Sequence, residues 1–429
     1  MTKSMKKFII LWFGQLTASV GHGLTTFALS VFAFSVSQSA IDTSMVMLLG
    51  FLPYIILIVP SGVLADKYDR RLMMILGDGL SALGILYILI IKLYGNLTLI
   101  DVYIGVTISS IFSALMTPAY QATVSDILTK NEYIKASGLV QISNSAKFLV
   151  SPILAGFLIN IQNGFEIILL IDVLTVFVTI ATTLYIKNDL RQCKLHDTEK
   201  DFFQNLLNTW KLLKKDKSIF KLVLISMLLT FFIAFIHTLS SPYFLSFSDS
   251  KTLGNAMTIA AFGMFLSGAF LSIHSITKNH IKKLSLSLLS GGIFMIGFGL
   301  TTNIYIITLF GFLFFATLPV ANSTIDYLIR INLDNKHEGR IWSFVTFISQ
   351  MGFVLAYPTS GLLADNIFSP IMSKGGLLEN SVGKIIGVGS GKGIGLLIII
   401  AGICLSLTSL IIIKSKNIRK LEKVNSINN

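Results

Sequence analysis

Charged residues are scarce in this chain of 429 residues: Asp, Glu, Lys and Arg together make up 13% of it. Soluble globular proteins carry about 25% charged residues, so this composition does not suit a soluble protein of this length. Cysteine is rarer still, with two residues. Cys193 lies in a basic segment and Cys404 in an apolar one, so we expect neither a disulfide nor a cysteine-based metal site.

Apolar residues are correspondingly abundant, at 53% of the chain with a mean hydropathy of +0.76. They form runs of about 20 residues, the length of a helix that crosses a bilayer. The sequence therefore predicts an all-α membrane protein with twelve transmembrane helices in two six-helix bundles. The predicted helices lie near residues 8–33, 43–64, 72–92, 100–123, 137–160, 165–186, 220–245, 254–277, 284–301, 304–328, 341–365 and 392–413.

The formal charge of +13 reflects the distribution of lysine and arginine between loops. With both termini in the cytoplasm, 28 of the 34 basic residues fall in inside segments and five in outside loops. This bias predicts a multi-pass protein of the cell membrane in that orientation. The positive charges then face the anionic lipid of the inner membrane surface, so we do not expect nucleic acid as a partner. The basic start runs directly into the first apolar stretch, so we expect a first membrane helix and no signal peptide.

The domain organisation follows from the spacing of the spans. We predict an N-terminal bundle over 1–186, a cytoplasmic linker over 187–219, a C-terminal bundle over 220–414 and a basic tail over 415–429. Apolar residues at helical spacing in the linker, opposite lysines, indicate an amphipathic helix on the inner membrane surface. A helix that binds a partner protein is the alternative.

Proline and glycine recur at matching places in the two halves. Pro152 and Gly156 predict a break in the fifth helix, and Pro358 and Gly361 predict one in the eleventh. Duplicated halves with interrupted helices are typical of secondary transporters.

The segment GVLADKYDRR, residues 62–71, joins the second and third predicted helices. Gly62 permits close helix packing, Asp66 suits a helix N-terminus, and Arg70 and Arg71 can pair with a carboxylate. The segment resembles the loop signature of the major facilitator superfamily.

That resemblance implies a gate on the cytoplasmic side. In the family the acid meets the start of the eleventh helix, here near Trp342, and an arginine meets an acid at the end of the fourth helix, here Asp126. Asp326, near the cytoplasmic end of the tenth helix, is expected to join Arg330 or Arg340 in gating.

Further motifs narrow the resemblance to one branch, the macrolide-efflux-type drug:proton antiporters, and they cover nearly the whole chain. They are WFGQ at 12–15, GFLPY at 50–54, TPA at 117–119, Ser151-Pro152, IDVL at 171–174, GRIWS at 339–343 and the glycine-rich segment at 387–394. The branch implies export of drugs and hence drug resistance. Its proton-coupling arginine on the fourth helix has no counterpart here, because the matching position is Ser109.

Ionisable groups inside a bilayer are costly and mark candidate functional sites. Lys147 is the deepest, and it suits either a functional or a structural pairing. His22 and Gln15 lie on a similar face of the first helix and suit a substrate or proton pathway, or plain packing. Asp78 and Asp172, on the third and sixth helices, suit proton carriage or interfacial hydrogen bonding.

Gln350 is the remaining pathway candidate, on the eleventh helix. No acid lies at the depth of Lys147 on the first, fourth, seventh or tenth helix. Its positive charge must then be balanced by an acid elsewhere or by an anionic ligand, or be absent because the pKa is lowered. If it faces the cavity, we expect it to disfavour permanently cationic substrates.

The sequence thus predicts a secondary active transporter that exports amphipathic drugs or secondary metabolites by proton-coupled alternating access. Its expected partners are a small amphipathic substrate, protons and membrane lipid, with no nucleic acid, and we expect a monomer. No cofactor, metal or catalytic group is indicated, so we do not expect an enzyme. The alternatives are a lysophospholipid or metabolite carrier on the same scaffold, and a non-transporting membrane sensor.

The predicted orientation makes Cys193 a test. We expect a thiol reagent to label Cys193 only when it reaches the cytoplasm, because the loop around it carries nine of the inside positive charges. Labelling is measured by mass shift in intact and permeabilised cells. Labelling of intact cells by an impermeant reagent contradicts the orientation.

Overall fold

The computed structural model describes residues 2–128, 132–186, 217–274, 279–331 and 338–415, and over these ranges it contains helices and no β-strand. The prediction of an all-α membrane fold is confirmed. The helices are α1 (Lys3–Ser37), α2 (Ala40–Lys67), α3 (Arg70–Tyr94), α4 (Leu99–Ile127), α5 (Tyr133–Leu149), α6 (Ser151–Leu158), α7 (Gly164–Tyr185), α8 (Lys217–Leu245), α9 (Ser250–Ile273), α10 (His280–Leu300), α11 (Ile304–Ile331), α12 (Glu338–Leu363), α13 (Ser369–Ile371), α14 (Gly383–Ile386) and α15 (Lys392–Lys414).

Eleven helices within the described ranges are long and apolar enough to cross a membrane. The fifth span completes the predicted twelve as an interrupted pair, α5 and α6, with a shorter apolar stretch at Ser145–Leu158. The ninth span begins at His280, four residues before its predicted start. The predicted linker helix lies outside the described residues, apart from the residues that begin α8.

Capping side chains set several of the helix starts. Thr98 and Asp101 form a reciprocal capping box at the start of α4. Asp69 accepts a hydrogen bond from the backbone N–H of Arg71 (2.9 Å) and so starts α3 two residues after α2 ends. Asp249 caps α9 in the same way, and its hydrogen bonds from Thr252 hold the pKa of the Asp249 carboxyl below its ordinary value.

The chain divides into two compact units. Unit 1 comprises Met1–Asp197 with Ser248–Thr258, and unit 2 comprises Thr198–Phe247 with Ile259–Asn429. Among the described residues, unit 1 has three apolar clusters, and the largest is drawn from α1, α2, α3, α4 and α7. In unit 2 a smaller cluster of Met372, Ile386 and Leu396 joins the segment before α15 to that helix.

Glycine allows the closest helix contacts in unit 1. A Cβ atom placed on Gly105 would lie 2.7 Å from the carbonyl oxygen of Gly84, and one on Gly84 would lie 2.7 Å from the backbone nitrogen of Ser109. Backbone therefore packs on backbone between α3 and α4, as small residues permit in membrane helices. Ser109 is buried at this contact.

In unit 2, glycines bring backbone onto backbone in the same way between α10 and α15. A Cβ on Gly402 would lie 2.7 Å from the Gly292 oxygen, and a Cβ on Gly395 would lie 2.7 Å from the Gly299 oxygen. The two contacts lie one heptad apart along each helix, so they hold the pair together over two turns.

One of the two predicted helix breaks is present. The fifth span is interrupted at Val150, two residues before Pro152, because proline has no N–H to continue the hydrogen-bond ladder. Pro358, in contrast, lies inside the continuous helix α12, and Gly361 follows it within the same helix. The prediction of a break at Pro358 and Gly361 is wrong: the irregularity is the π-helical turn at Ala364–Phe368.

The α3–α4 contact gives a stability test. We expect Gly84→Leu to lower the free energy of unfolding by about 1–3 kcal/mol, because the added atoms overlap the backbone of α4. Gly50→Leu is the control, since a Cβ at Gly50 has no described atom within 4 Å. Thermal melting of the detergent-purified variants checks this, and equal melting temperatures contradict it.

Candidate functional site

Four ionisable side chains of unit 1, which we call the polar cluster, come together inside the membrane-spanning helices. They are His22 of α1, Asp78 of α3, Lys147 of α5 and Asp172 of α7. His22 and Asp172 each interact electrostatically with Lys147, and the two aspartates interact with each other. The sequence identified all four residues singly; the structure joins them into one site.

Lys147 lies two residues before the end of α5 and is partly buried. Its stem packs on α1, since a Cβ placed on Gly23 would lie 3.0 Å from Lys147 Cγ. Its Nζ lies 6.0 Å from the centre of the Phe148 ring.

Asp172 is the acid that interacts electrostatically with Lys147, and the sequence analysis did not pair the two residues. The search along the first, fourth, seventh and tenth helices missed it because it lies on the sixth span, α7. Asp172 is 8% exposed, and Thr25 of α1 lies beside its carboxylate. Asp172 lies outside the four helices on which no acid was found at this depth, so the expected effect of Lys147 on cationic substrates stays a prediction.

Glycine also brings Asp172 close to α1. A Cβ placed on Gly21 would lie 3.0 Å from Asp172 Oδ1. Gly21 and Gly23 therefore flank His22 and leave room for the acid on one side and the lysine on the other. Ser151 at the start of α6 adds a hydrogen bond to the carbonyl oxygen of Val20 (2.9 Å).

Asp78 is half-buried on α3, and Thr179 of α7 lies beside it. Both aspartates are eight residues from the first residue of their helices, about 12 Å at 1.5 Å per residue. On the predicted topology α3 starts at the inner membrane face and α7 at the outer one. The two acids therefore approach the middle of the membrane from opposite sides.

His22 is exposed on the surface of unit 1, although it lies in the middle of α1. Gln15, two turns earlier on the same helix, is half-buried. His22 is thus the member of the polar cluster that is accessible from outside the unit.

A second group of charges lies at the end of α4. Arg70 donates hydrogen bonds to Asp126 (2.5 Å), to the carbonyl oxygen of Ala65 (3.2 Å) and to that of Ala122 (3.4 Å). One guanidinium therefore joins the ends of α2 and α4 to the start of α3. The predicted contact between an arginine of the 62–71 segment and Asp126 is present in the structure.

For the other predicted gate residues, the structure describes the position of some and not of others. A Cβ placed on Gly62 meets no described atom within 4 Å, so close packing at Gly62 stays a prediction. Asp326 is exposed near the end of α11. The side chains of Asp66 and Arg340 lie outside what the structure describes.

Unit 2 holds a polar seam between α8 and α12. Ser349 hydrogen-bonds to Ser226 (2.9 Å), and Thr230 donates to the carbonyl oxygen of Ser349 (2.5 Å). The adjacent Gln350 is partly buried, and its side-chain oxygen has no hydrogen-bond partner among the described residues. A buried amide oxygen of this kind can accept a hydrogen bond from a ligand.

Sequence reasoning missed four residues that shape the polar cluster: Gly21, Gly23, Thr25 and Thr179. A signal was present, because Gly-His-Gly in a membrane helix places small residues on both sides of an ionisable one. Within the described ranges, no group of three or more His, Cys, Asp or Glu side chains is arranged to hold a metal ion.

Comparison with known proteins agrees with this architecture. Residues 11–357 match the Major Facilitator Superfamily. Macrolide efflux protein A of Streptococcus pyogenes is 25% identical over 371 residues, which cover 84% of this chain and 90% of the relative. Macrolide efflux protein A of Enterococcus faecalis is 28% identical over 258 residues, 60% of this chain and 78% of the relative.

Solved structures share the fold at low sequence identity. The nucleoside transporter NupG superimposes with a TM-score of 0.72 at 12% identity and covers 96% of this chain, with its whole chain matched. An inward-facing bacterial homologue of the human lysosomal transporter Spinster gives a TM-score of 0.74 at 13% identity, covering 98% of this chain and 99% of its own. With twelve spans and the Arg70–Asp126 contact in place, the chain belongs to the Major Facilitator Superfamily: it is a multi-pass transporter of small molecules, similar to macrolide efflux proteins, and not an enzyme.

Proposed function

We propose that this protein exports amphipathic drugs or secondary metabolites, macrolides among them, in exchange for protons. The similarity to two macrolide efflux proteins supports the substrate class. The polar cluster is the observation that supports the proton coupling, because within the membrane-spanning helices Asp172 interacts electrostatically with Lys147 and with a second carboxylate, Asp78. A coupling ion needs ionisable groups at this depth, and protein charges at this depth are otherwise costly.

We also propose that transport occurs by alternating access in the cell membrane, with both termini in the cytoplasm. The distribution of basic residues between loops supports this orientation. The contacts of Arg70 support a gate on the cytoplasmic side, with Asp66, Arg71, Asp326 and Arg340 as further gate residues. Gln15 and Gln350 are proposed to line the substrate pathway.

The test is an efflux assay in a host that lacks its own drug pumps. We expect the protein to lower the accumulation of radiolabelled erythromycin, and we expect a protonophore to abolish this effect, because export against a gradient needs the proton gradient. A cationic dye and a lysophospholipid are assayed in parallel. Transport of the lysophospholipid alone favours the lipid-carrier alternative, and transport of none of the probes favours a sensor.

The gate proposal predicts unequal effects of two substitutions. We expect Arg70→Gln to lower the efflux rate about tenfold and Asp126→Asn to lower it less, because Arg70 makes three contacts and Asp126 receives one of them. Initial efflux rates at matched membrane expression check this order. A wild-type rate for Arg70→Gln contradicts a gating role for this contact.

A further inference from the structure

The side chain of Gln350 on α12 has unused hydrogen-bonding capacity beside a seam whose other side chains are paired. Its Oε1 atom is buried and accepts no hydrogen bond from any described residue. Ser349, the preceding residue, is bonded to Ser226 (2.9 Å) and to Thr230 (2.5 Å) of α8. A buried polar atom without a partner costs free energy, so such atoms are nearly always paired in folded proteins. Gln350 therefore needs a partner that the surrounding helices do not supply.

The packing of α12 on α8 fixes the direction in which Gln350 points. A Cβ placed on Gly352 would lie 2.7 Å from the backbone nitrogen of Phe231, so the two backbones are in contact there. Together with the bonds of Ser349, this contact holds α12 against rotation about its axis. Successive residues of a helix are about 100° apart, so Gln350 is turned away from the hydroxyl groups of α8 that could satisfy it.

Two aromatic residues share this face of α12 with Gln350. Phe353 and Tyr357 follow it by three and seven residues, which is the spacing of one helix face. Their rings lie 5.8 Å apart. Tyr357 is 6% exposed, and Phe353 and Gln350 are partly buried, so this face is not a lipid-facing surface. An amide beside aromatic rings suits an apolar molecule that is oriented by one polar group.

The two helices of the seam offer no charge to an ionised ligand group at this depth. Gln350 lies 12 residues after the first residue of α12, about 18 Å along the helix. Residues 341–363 include no Asp, Glu, Lys or Arg. On α8, Lys221 and His237 lie nine and seven residues from Thr230, about 14 Å and 11 Å along the axis. A charged group at Gln350 would find no counter-charge on α8 or α12, whereas a neutral hydroxyl group needs none.

We propose that Gln350 is a specificity-determining residue of the transporter, whose amide oxygen accepts a hydrogen bond from a hydroxyl group of the exported compound. Phe353 contacts the apolar surface next to that hydroxyl group. The substrates that fit are apolar frameworks that bear neutral hydroxyl groups. This inference rests on the export function proposed above and names the chemical group that its substrate site recognises.

The amide reaches the ligand without a change of the backbone. Gln350 is partly exposed although its Oε1 atom is buried, so another part of the side chain is accessible. The terminal torsion of glutamine is broad, and a half-turn about it brings the oxygen to the accessible side. A single neutral hydrogen bond is also weak enough to break in every transport cycle.

The test compares Gln350→Leu with the wild type in erythromycin efflux, because leucine occupies a similar volume and has no hydrogen-bonding atom. We expect the substitution to raise KM about tenfold and to leave kcat within about twofold, since the lost bond is made to the bound substrate. Initial efflux rates over a range of erythromycin concentrations, at matched membrane expression, give both constants. Equilibrium dialysis of radiolabelled erythromycin against the purified protein checks the same loss as a change in Kd.

Ser406→Ala is the matched control. Ser406 of α15 also has a buried oxygen without a described partner, but it lies against Gly292 of α10, where the backbones are in contact. We expect Ser406→Ala to keep the wild-type KM for erythromycin. Size-exclusion profiles verify that both variants are folded.

O-methylated derivatives of erythromycin separate recognition of a hydroxyl group from a general effect on the site. Each derivative blocks one hydroxyl group, and its KM is measured with the wild type and with Gln350→Leu. We expect one derivative to have the same KM with both proteins, because the group that bonds to Gln350 is already blocked, while the others keep a difference of about tenfold. In the wild type that derivative should already have a KM about tenfold above that of erythromycin, a result that does not depend on the variant.

The outcomes distinguish this inference from the proposed function. Absence of erythromycin efflux by the wild type contradicts the proposed export of macrolides and this inference with it. Erythromycin efflux with an unchanged KM in Gln350→Leu, or with an equal rise in KM for every derivative, overturns the inference and leaves the proposed function standing. A raised KM that one blocked hydroxyl group abolishes supports the hydrogen bond.

Discussion

The cost of placing a charge inside a membrane governs the arrangement of unit 1. Lys147 is held within the membrane-spanning helices by a stem that packs on α1, and the negative charge that offsets it comes from Asp172 across that helix. This interaction brings together residues of α5 and α7 on either side of α1. Gly21 and Gly23 provide the space in which the Asp172 carboxylate and the Lys147 stem approach that helix.

Helix contacts elsewhere use glycine for a different reason. Between α3 and α4, and between α10 and α15, glycine brings backbone onto backbone and adds packing contacts that lipid cannot replace. In membranes the hydrophobic effect does not drive helices together, so close packing has to do so. Rigid helix pairs of this kind let a transporter move bundles of helices while each pair stays intact.

Sequence reasoning found the members of the polar cluster but not their partners. Depth along each helix was readable from residue numbers, because a helix rises by a constant 1.5 Å per residue. The direction in which Asp172 points was not readable, since it depends on how α7 is rotated against α1. Local sequence also misplaced the break at Pro358, whose helix continues through it.

The number of spans, their lengths, the basic loops and the family signature at 62–71 were determined by the sequence alone. Each depends on local composition, and the bilayer acts on each segment of about 20 residues separately. Only the tertiary structure decided that Asp172 interacts with Lys147, that Arg70 is the arginine that reaches Asp126 and that Ser109 is buried against Gly84. Those contacts join residues far apart in the chain, and they depend on helix rotation and crossing, which long-range packing sets.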